Sequence, residues 1–490
     1  MSTENLRKWR DKNLNSISPS FCAAKWYNVS LHLGHGFKNS CHLPLPHPID
    51  VDKLKDRPSE LHNTDFSKRQ RKMMLEGERP AECSYCWKIE DIGRDNIADR
   101  IYKSKIYKEE DIAALKDVPW DADIIPKTIE ASFDRTCNFG CSYCNAGYST
   151  TWGKDIDKNG PYQKFKSVSA GAYQNNGDWA DANGKYNDQN PYVEAFLKWW
   201  PDLIEGGLEE IRITGGEPCA SPNFWSFLEK MKDHKSDKLR FAVNSNLGGN
   251  FKRIQRLIDA SYQLPIKEFD LYTSNESMGE HAEYIRDGLI YPEWRSHMVA
   301  FLEGVNQKIF RSLTVMMTIN SLCLFSITEF LDDMIVLKKK YGSNRPNVDF
   351  NILRWPAFMS PLALPNDVKM FLHKKLKGWF EERKSEQDFY QLFSEGEIAQ
   401  IERLIDYIEV VKTGHVTTEG EDEIQFHDFK SFYVQYDKRR GKDFCKTFPE
   451  LAIWYEQIEV DDTIPNVPMK PGDITHFEDG VYNSIINNSQ

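Results

Sequence analysis

The sequence predicts an α/β fold built on a parallel sheet, and three observations lead to this class. From residue 126 onward, short alternating segments typical of strands alternate with longer amphipathic segments typical of helices. Six such strand–helix units can be counted, which implies a parallel sheet with helices outside it and right-handed crossovers. A cysteine-rich segment precedes the first unit and a charged helical segment follows the last, which predicts a small N-terminal module and a helical C-terminal extension.

The order of the predicted elements places each strand before its helix. The predicted strands cover residues 127–133, 210–214, 239–244, 267–273, 313–319 and 348–353. The predicted helices cover residues 192–200, 224–232, 251–262, 294–305, 327–341 and 366–383. In such folds ligands bind at the C-terminal ends of the parallel strands, so we expect functional residues there.

Four parts follow from this pattern. We predict a cysteine-rich module in residues 1–100, a helical linker in 101–125 and the strand–helix region in 126–365. Residues 366–490 are predicted to form a helical extension with a loosely ordered tail. In the extension, the pattern of residues 396–411 predicts an amphipathic helix, and residues 417–425 are predicted to form a solvated turn. The aromatic residues of 431–458 are expected to pack onto the body.

Residues 145–191 show no sustained period, and we interpret them as a long insertion forming a lid or an irregular excursion. Two interpretations of its aromatic residues stay open, since they could face a substrate or anchor the insertion to the body. These residues are Trp152, Tyr162, Tyr173, Trp179 and Tyr186.

Composition excludes several classes of function. The 490 residues include 63 basic and 74 acidic ones, a net charge of −11, which argues against nucleic acid as a partner. No run of 18 apolar residues predicts a membrane-spanning helix, and the polar N-terminus lacks the apolar region of a signal peptide. We therefore expect a cytoplasmic location, where ten cysteines indicate metal binding rather than disulfides.

Three cysteines follow the first predicted strand within eight residues. Cys137, Cys141 and Cys144 have CxxxCxxC spacing, so one tight loop can place three thiolates on one metal centre. Thiolates select zinc, copper(I) or iron–sulfur clusters, and zinc usually takes four protein ligands. Three cysteines in one loop fit a [4Fe–4S] cluster with one open iron better. A structural zinc or iron–sulfur site without chemistry is the alternative.

Two cysteine pairs in the N-terminal part have ligand-like spacing. Cys22 and Cys41 form the first pair, with Gly36 allowing a sharp turn before Cys41, and Cys83 and Cys86 form the second. Four thiols can close one tetrahedral site, and zinc and iron–sulfur both fit it. Nearby histidines are expected at the surface or behind the ligands; these are His32, His35, His42 and His47.

Three further cysteines lie outside these groups. Cys219, Cys323 and Cys445 are expected to be packed or surface thiols. Because Cys219 and Cys323 come just after strands, a role as hydrogen donor is the alternative for these two.

The CxxxCxxC loop, with the aromatic Tyr143 before its last cysteine, resembles the signature of the radical SAM superfamily. In that family the open iron binds the amino and carboxylate groups of S-adenosylmethionine (SAM). The resemblance implies a partial, open (β/α)6 TIM-like barrel. It also implies reductive cleavage of SAM to a 5′-deoxyadenosyl radical that takes hydrogen from a substrate, with an electron donor such as flavodoxin or ferredoxin.

Motifs at the ends of the second and third strands add to the resemblance. Gly215, Gly216, Glu217 and Pro218 match the family's GGEP motif, which holds the SAM amino group. The segment that starts Asn244-Ser245-Asn246 resembles the TNG-type segment near the SAM ribose, and a plain Asn/Gly turn is the alternative.

The fourth strand is followed by a partial match. In peptide-modifying relatives a serine and an arginine at the spacing of Ser274 and Arg286 bind the SAM carboxylate, which an arginine fork suits. The family's SxDG sequence is SNES here, and a helix-surface salt bridge is the alternative for Arg286. Tyr143 is expected to offer its backbone to adenine, with simple loop packing as its alternative.

The N-terminal cysteines resemble the CX9–15GX4C element of SPASM and twitch domains, which hold auxiliary clusters. Here the module precedes the barrel, whereas in relatives it usually follows. The resemblance implies a second [4Fe–4S] cluster for electron transfer, with zinc as the alternative. A peptide or protein is the expected substrate, and a small molecule or nucleotide is the second hypothesis. A non-catalytic scaffold stabilised by metal is the third.

Overall fold

The computed structural model describes residues 3–93, 96–178, 181–187, 189–409 and 421–469. Its strands form one large sheet and one small two-stranded ladder. The strands are, in chain order, β1 Asn28–His32, β2 Phe37–Asn39, β3 His47–Pro48, β4 Thr128–Ser132, β5 Gly140–Cys141, β6 Glu210–Thr214, β7 Arg240–Asn244, β8 Glu268–Ser274, β9 Arg286–Asp287, β10 Phe310–Ile319 and β11 Asn347–Ile352.

The large sheet has nine strands in the order β11-β10-β8-β7-β6-β4-β1-β2-β3. Neighbours from β11 to β1 are parallel, and β2 and β3 continue the sheet in antiparallel pairing. All six predicted strands are present in it. The predicted fold class is confirmed: the sheet is parallel and open, and within the described residues it does not close into a barrel.

A seventh parallel strand comes from the predicted N-terminal module. Strand β1 pairs with β4 in register from Asn28 opposite Thr128 to His32 opposite Ser132. The module and the strand–helix region therefore share one sheet. The division of the chain into separate parts stays a prediction.

The helices of the strand–helix region lie where the sequence predicts them. In chain order the α-helices are α1 Thr3–Asn13, α2 Ala24–Tyr27, α3 Val51–Leu54, α4 Asp65–Leu75, α5 Ser84–Ile92, α6 Asp99–Lys105, α7 Glu109–Ala114, α8 Thr150–Asn159, α9 Ala182–Lys185, α10 Pro191–Glu205, α11 Pro222–Lys232, α12 Phe251–Ser261, α13 Gly279–Ile285, α14 Tyr291–Gly304, α15 Ile327–Tyr341, α16 Asn366–Lys384, α17 Phe389–Leu392, α18 Glu395–Tyr407, α19 Glu421–Arg440, α20 Phe444–Thr447 and α21 Ala452–Gln457. Several begin with a side-chain cap, such as Ser221 on α11 and Asn250 on α12.

Two hydrophobic cores hold these layers together. The larger one joins the sheet to its covering helices and to the C-terminal extension. In it the rings of Phe133, Phe196 and Phe227 contact one another between the end of β4, α10 and α11. The smaller core surrounds Phe21, Trp26 and other residues of the N-terminal part, so that part has its own buried centre.

The insertion is more regular than its composition suggests. Helix α8 begins directly after the cysteine loop, capped by Ser149, although we expected an irregular segment there. Trp152, Tyr162 and Tyr173 are at most 1% exposed and their rings pack on Phe432 of α19. These three residues therefore anchor the insertion to the body. Tyr186 contacts Tyr192 instead, and Trp179 lies outside the described residues.

The C-terminal extension follows the prediction in part. The amphipathic helix is present as α18, and all but one of the aromatic residues of α19 and α20 are buried against the body. The predicted solvated turn at 417–425 is wrong for residues 421–425, which belong to α19, and its other residues lie outside the described ones. The tail from residue 470 also lies outside them.

No helix in the described part of the chain combines the length and the apolar character needed to span a bilayer.

Candidate functional site

The loop that carries Cys137, Cys141 and Cys144 leaves the C-terminal end of β4 and is held from three sides. Strand β5 pairs with β9, which sets Cys141 opposite Arg286. The Cys144 amide donates to the Cys141 carbonyl at 2.9 Å and closes a turn between these two ligands. The hydroxyl of Thr151, in the first turn of α8, donates to the Cys137 carbonyl at 2.8 Å. The fold thus fixes the backbone of all three cysteines.

The three thiols share one electrostatic environment. Burial raises the pKa of Cys137 to about 12 and also raises the pKa of Cys141 and Cys144. Negative charge at Cys141 or Cys137 raises the pKa of Cys144 further, as expected for thiols carried by one short loop. A bound cation would reverse this cost, because a coordinating thiol is deprotonated.

Two donors already point at these sulfur atoms. The Phe139 amide donates to the Cys137 sulfur at 3.4 Å, and the Arg286 Nη1 lies 3.9 Å from the Cys141 sulfur. Hydrogen bonds and positive charge near thiolates stabilise them as metal ligands. The donor set therefore fits an iron–sulfur cluster held by three cysteines.

The two glycines after β6 let the loop that follows this strand lie against the segment before Cys137. A Cβ atom on Gly216 would lie 2.3 Å from the Thr136 carbonyl, and one on Gly215 would lie 2.8 Å from the Asp134 carbonyl. Gly215 also has a φ of +118°. We expected these glycines to let backbone approach a ligand, whereas the structure shows them approaching the segment that leads into the cysteine loop.

Glu217 joins three strand ends. Its Oε1 accepts hydrogen bonds from the Ser245 hydroxyl at 2.8 Å and the Cys219 amide at 3.0 Å, and its Oε2 accepts one from the Asn246 amide at 2.5 Å. Its own amide donates to the Thr136 carbonyl at 2.6 Å. A carboxylate has about four acceptor positions, so about one is left for a ligand ammonium group. Burial raises the pKa of Glu217. Pro218 begins the turn that follows and is buried.

The loop after β7 touches the cysteine loop directly. Asn246 donates from Nδ2 to the Asn138 Oδ1 at 3.0 Å, and Gly248 lies against the Phe139 ring. Leu247 has a positive φ of +52° and its carbonyl bonds the His297 ring at 2.8 Å. The Asn/Gly turn that we kept as an alternative is therefore present, and it presents Asn244, Ser245 and Asn246 at the same edge as Glu217.

Arg286 lies in a buried cluster with Glu276 and Tyr143. Its Nη2 bonds the Glu276 Oε2 at 2.5 Å and its Nε lies 3.1 Å from the same oxygen. The Tyr143 hydroxyl donates to Glu276 at 3.2 Å. Burial raises the pKa of the tyrosine. Arg286 is 5% exposed, so the helix-surface salt bridge considered for it is wrong. Of the three guanidinium nitrogens, only Nη1 does not bond Glu276, and it faces the Cys141 sulfur in the cysteine loop.

Unpartnered polar atoms collect at this edge of the sheet. Among the described residues, four buried atoms at or just after the ends of β7, β8 and β10 have no hydrogen-bond partner: Asn244 Oδ1, Asn275 Nδ2, Ser277 Oγ and Ser321 Oγ. Each such atom costs about 1–3 kcal/mol unless a ligand or water satisfies it. Ser274, the last residue of β8, lies half-buried beside them. The edge therefore fits a polar ligand bound next to the three thiols.

A second group of thiols lies in the N-terminal part. One pocket is lined by Cys22, Cys41, Cys83 and Cys86. These four cysteines come from segments up to 64 residues apart in the sequence. The turn that we predicted before Cys41 is confirmed, since Gly36 has a φ of +77° and joins β1 to β2. Burial raises the pKa of Cys86 to about 12 and raises that of Cys41 and Cys83.

Basic side chains surround this pocket. Lys25, Arg100 and Lys103 line it together with the four thiols. Lys25 is 4% exposed; burial lowers its pKa, but the neighbouring Cys83 and its ion-pair partner Glu82 more than offset this, and the net pKa is raised. Four thiolates around a divalent ion or a cluster carry net negative charge, which these cations offset. None of the four nearby histidines lines the pocket.

Within the ranges that the structure describes, no three His, Cys, Asp or Glu side chains form a group that could hold a metal ion. The ligands of an iron–sulfur cluster surround a larger body than those of one ion do.

The cysteines outside the two groups are accounted for differently. Cys323 is fully buried and its sulfur donates to the Asn320 carbonyl at 3.2 Å, so it closes a turn. Cys219 is buried beneath the turn after β6, and Cys445 is half-buried near the surface.

Some residues of the site were missed at the sequence level. Glu276 occupies the acidic position of the partial SxDG match, and that position was the available signal. Asn138, Thr150 and Thr151 support the cysteine loop through contacts with residues far along the chain or on the next helix, which no short motif indicates.

An open parallel sheet with three thiols in one loop at the C-terminal end of a strand defines a class, an α/β protein with a candidate ligand site at that edge. Residues 132–295 match the model of the Radical SAM superfamily, so the chain contains a radical SAM domain. No curated protein sequence matches the chain.

Among solved structures, the crystal structure of Streptococcus suis SuiB bound to S-adenosylmethionine is similar, with a TM-score of 0.34 and 12% sequence identity. The similarity covers 64% of this chain and 62% of the SuiB chain, which is less than two thirds of that protein's length.

Proposed function

We propose that this protein is a radical SAM enzyme. The observation that carries the proposal is the cluster of Cys137, Cys141 and Cys144 beside Glu217 and Arg286, at the edge of the sheet where the unpartnered polar atoms lie. In the family, a [4Fe–4S] cluster with SAM supplies a 5′-deoxyadenosyl radical that removes a hydrogen atom from a substrate.

The chain's own residues would bind and orient the two cofactors. Cys137, Cys141 and Cys144 would hold the cluster, which would bind SAM. Glu217 has about one acceptor position left for the SAM ammonium group, and the Arg286 Nη1 is the donor left for the carboxylate. Contacts of the remaining motif residues with SAM follow the family pattern and are proposed for Tyr143, Gly215, Gly216, Pro218, Asn244, Ser245, Asn246 and Ser274. The aromatic residues of α8 and α19 exclude water from the back of the loop.

We extend the proposal to the N-terminal pocket, which would hold a second [4Fe–4S] cluster through Cys22, Cys41, Cys83 and Cys86. With four cysteines as its ligands, the protein would leave this cluster no position for a substrate, and the cluster would serve electron transfer. Zinc is the alternative, since four thiolates suit both. Iron and sulfide analysis of anaerobically reconstituted protein separates them. About eight iron per chain supports two clusters, whereas about four iron with zinc contradicts the second.

For the substrate we propose a peptide or protein, supported by the resemblance of the N-terminal cysteines to SPASM and twitch modules. Reduced thiols at both centres need a reducing compartment, which supports a cytoplasmic location.

The test is SAM cleavage by the reconstituted protein under dithionite without oxygen. We expect 5′-deoxyadenosine from the wild type and none above background from Cys141→Ala. The matched control is Cys445→Ala, a thiol outside both groups, which we expect to keep wild-type activity. No 5′-deoxyadenosine from the wild type, or equal amounts from Cys141→Ala, would favour a non-catalytic scaffold.

A further inference from the structure

A groove with three cations opens on the outer helices next to the cysteine loop. It lies between α11, α12 and the turn after Glu217, and has a volume of about 560 Å³. Its lining residues are Cys219, Ala220, Pro222, Trp225, Ser226, Glu229, Lys252, Arg253 and Arg256. We call it the basic groove.

The charges of the basic groove are not neutralised by the protein. In the part of the chain that the structure describes, Lys252, Arg253 and Arg256 take part in no ion pair, and Glu229 is bonded to Lys232 at 2.7 Å. The chain as a whole carries a net charge of −11. Three unpaired cations side by side on an acidic protein form a local positive patch, which attracts an anionic partner.

A buried tryptophan holds one of the three cations of the groove in position. Arg256 stacks on the Trp225 ring with its guanidinium carbon 4.0 Å from the ring centre. The indole nitrogen of Trp225 donates to the Cys219 carbonyl at 3.0 Å. The stack holds Arg256 in place beside Lys252 and Arg253, and such a fixed group of cations suits a protein surface rich in acidic residues.

Two short routes connect the groove to the cysteine loop. Along the first, the Cys219 amide donates to Glu217, and the Glu217 amide donates to the carbonyl of Thr136, which precedes Cys137. Along the second, the chain runs from Lys252 back through Asn250 to Gly249, where a Cβ atom would lie 3.1 Å from the Asn138 Nδ2. A partner in the groove would therefore lie close to the cysteine loop, at the end of the sheet where α11 and α12 begin.

From these observations we infer that the basic groove is the docking surface for a small acidic one-electron donor protein that reduces the cluster at Cys137, Cys141 and Cys144. The inference rests on the proposed function, because only a redox reaction needs such a partner. In the step the donor protein loses one electron and the cluster gains it. No bond forms or breaks, and no proton has to move.

The test compares a protein donor with a chemical one. The groove variant is Lys252→Glu/Arg253→Glu/Arg256→Glu. The control variant is Lys116→Glu/Lys374→Glu/Lys377→Glu, which makes the same change of net charge at exposed lysines outside the groove. The protein donor used is a flavodoxin kept reduced by its reductase and NADPH, the chemical donor is dithionite, and the readout is 5′-deoxyadenosine.

With flavodoxin we expect the rate at subsaturating donor to fall about 10- to 100-fold in the groove variant, because electrostatic steering changes association rates by ~10–10³. With dithionite we expect the groove variant, the control and the wild type to agree. Added salt should slow the flavodoxin reaction of the wild type more than that of the groove variant. Equal flavodoxin rates in the groove and control variants, or an equal loss with both donors, would overturn the inference.

Two further measurements keep the result clear. A Lys252→Glu/Arg253→Glu variant keeps the Arg256–Trp225 stack, so its loss of flavodoxin-dependent rate cannot come from a disturbed fold. Calorimetric titration with flavodoxin measures docking without any activity. If the wild type cleaves no SAM with dithionite, the proposed function fails, and the titration still decides whether the groove binds the donor. Displacement of flavodoxin by millimolar inorganic phosphate alone at constant ionic strength would point to a small-anion site and contradict docking.

Discussion

The two groups of thiols in this protein differ in what surrounds them. At the edge of the sheet, three cysteines lie in one loop beside a buried ion pair and four unpartnered polar atoms from three strand ends. In the N-terminal part, four cysteines from separate segments line one pocket together with lysine and arginine side chains. In the centres proposed above, the first arrangement would leave ligand positions for another molecule, whereas the second would fill its positions with protein.

This difference indicates that cysteine count alone does not define a centre's role. A three-thiol site becomes useful when neighbouring strands supply donors and acceptors that the protein itself does not satisfy. A four-thiol site surrounded by buried cations is suited to holding charge without exchanging ligands.

The largest effect is expected from the ion pair beside the three-thiol site. Glu276→Ala leaves Arg286 buried without its partner, and we expect a loss of about 3–5 kcal/mol in the free energy of unfolding, measured in urea. The double variant Glu276→Ala/Arg286→Met should recover part of this stability but not SAM binding. As a control, Glu397→Ala unpairs the buried Lys338 elsewhere and should lower stability while the folded protein still binds SAM. If the double variant binds SAM, the Glu276–Arg286 pair contributes to stability only, which would contradict the proposed role of Arg286 in SAM binding.

A smaller effect is expected at the turn that shapes the four-thiol pocket. In Gly36→Ala the alanine would have to adopt a φ of +77°, and its Cβ would lie 2.3 Å from the Tyr192 ring. We therefore expect the free energy of unfolding to fall by more than the ~1–3 kcal/mol that backbone strain alone costs. Gly160→Ala is matched, because Gly160 also has a φ of +77° but nothing within 4 Å of the added carbon. Metal analysis should show the N-terminal centre depleted in Gly36→Ala and intact in Gly160→Ala. Equal metal content and equal stability would show that the Gly36 turn does not position Cys41.

The smallest effect is expected at a thiol outside both groups. Cys323→Ala removes a sulfur that closes a turn, so we expect a cost of about 1 kcal/mol from the lost hydrogen bond and packing. Iron content and SAM cleavage should match the wild type. Loss of substrate turnover with SAM cleavage retained would instead assign Cys323 as the hydrogen donor considered above.

The sequence predicts the parts of this molecule whose signals are local. Strand β6 and helix α15 have the predicted bounds, since their periodicity is carried by their own residues. The three-thiol loop was found for the same reason, because its ligands lie within eight residues.

Other parts depend on contacts that no segment contains. Strand β1 joins the sheet by pairing with β4, a hundred residues later, and nothing in Asn28–His32 indicates that partner. Helix α8 is polar along its sequence and is held by Trp152, which packs on α19 almost three hundred residues away. The Glu276–Arg286 pair was missed because a buried ion pair and a ligand site use the same residue types.

The most direct test of this account measures whether SAM acts on the three-thiol centre alone. Cys83→Ala/Cys86→Ala and Cys141→Ala/Cys144→Ala are each reconstituted with iron and sulfide, reduced, and examined by electron paramagnetic resonance with and without SAM. We predict that SAM changes the spectrum of the cluster left in Cys83→Ala/Cys86→Ala and leaves Cys141→Ala/Cys144→Ala unaffected. A spectrum in Cys83→Ala/Cys86→Ala that does not respond to SAM, or a response only in Cys141→Ala/Cys144→Ala, would contradict the assignment of an open iron to Cys137, Cys141 and Cys144.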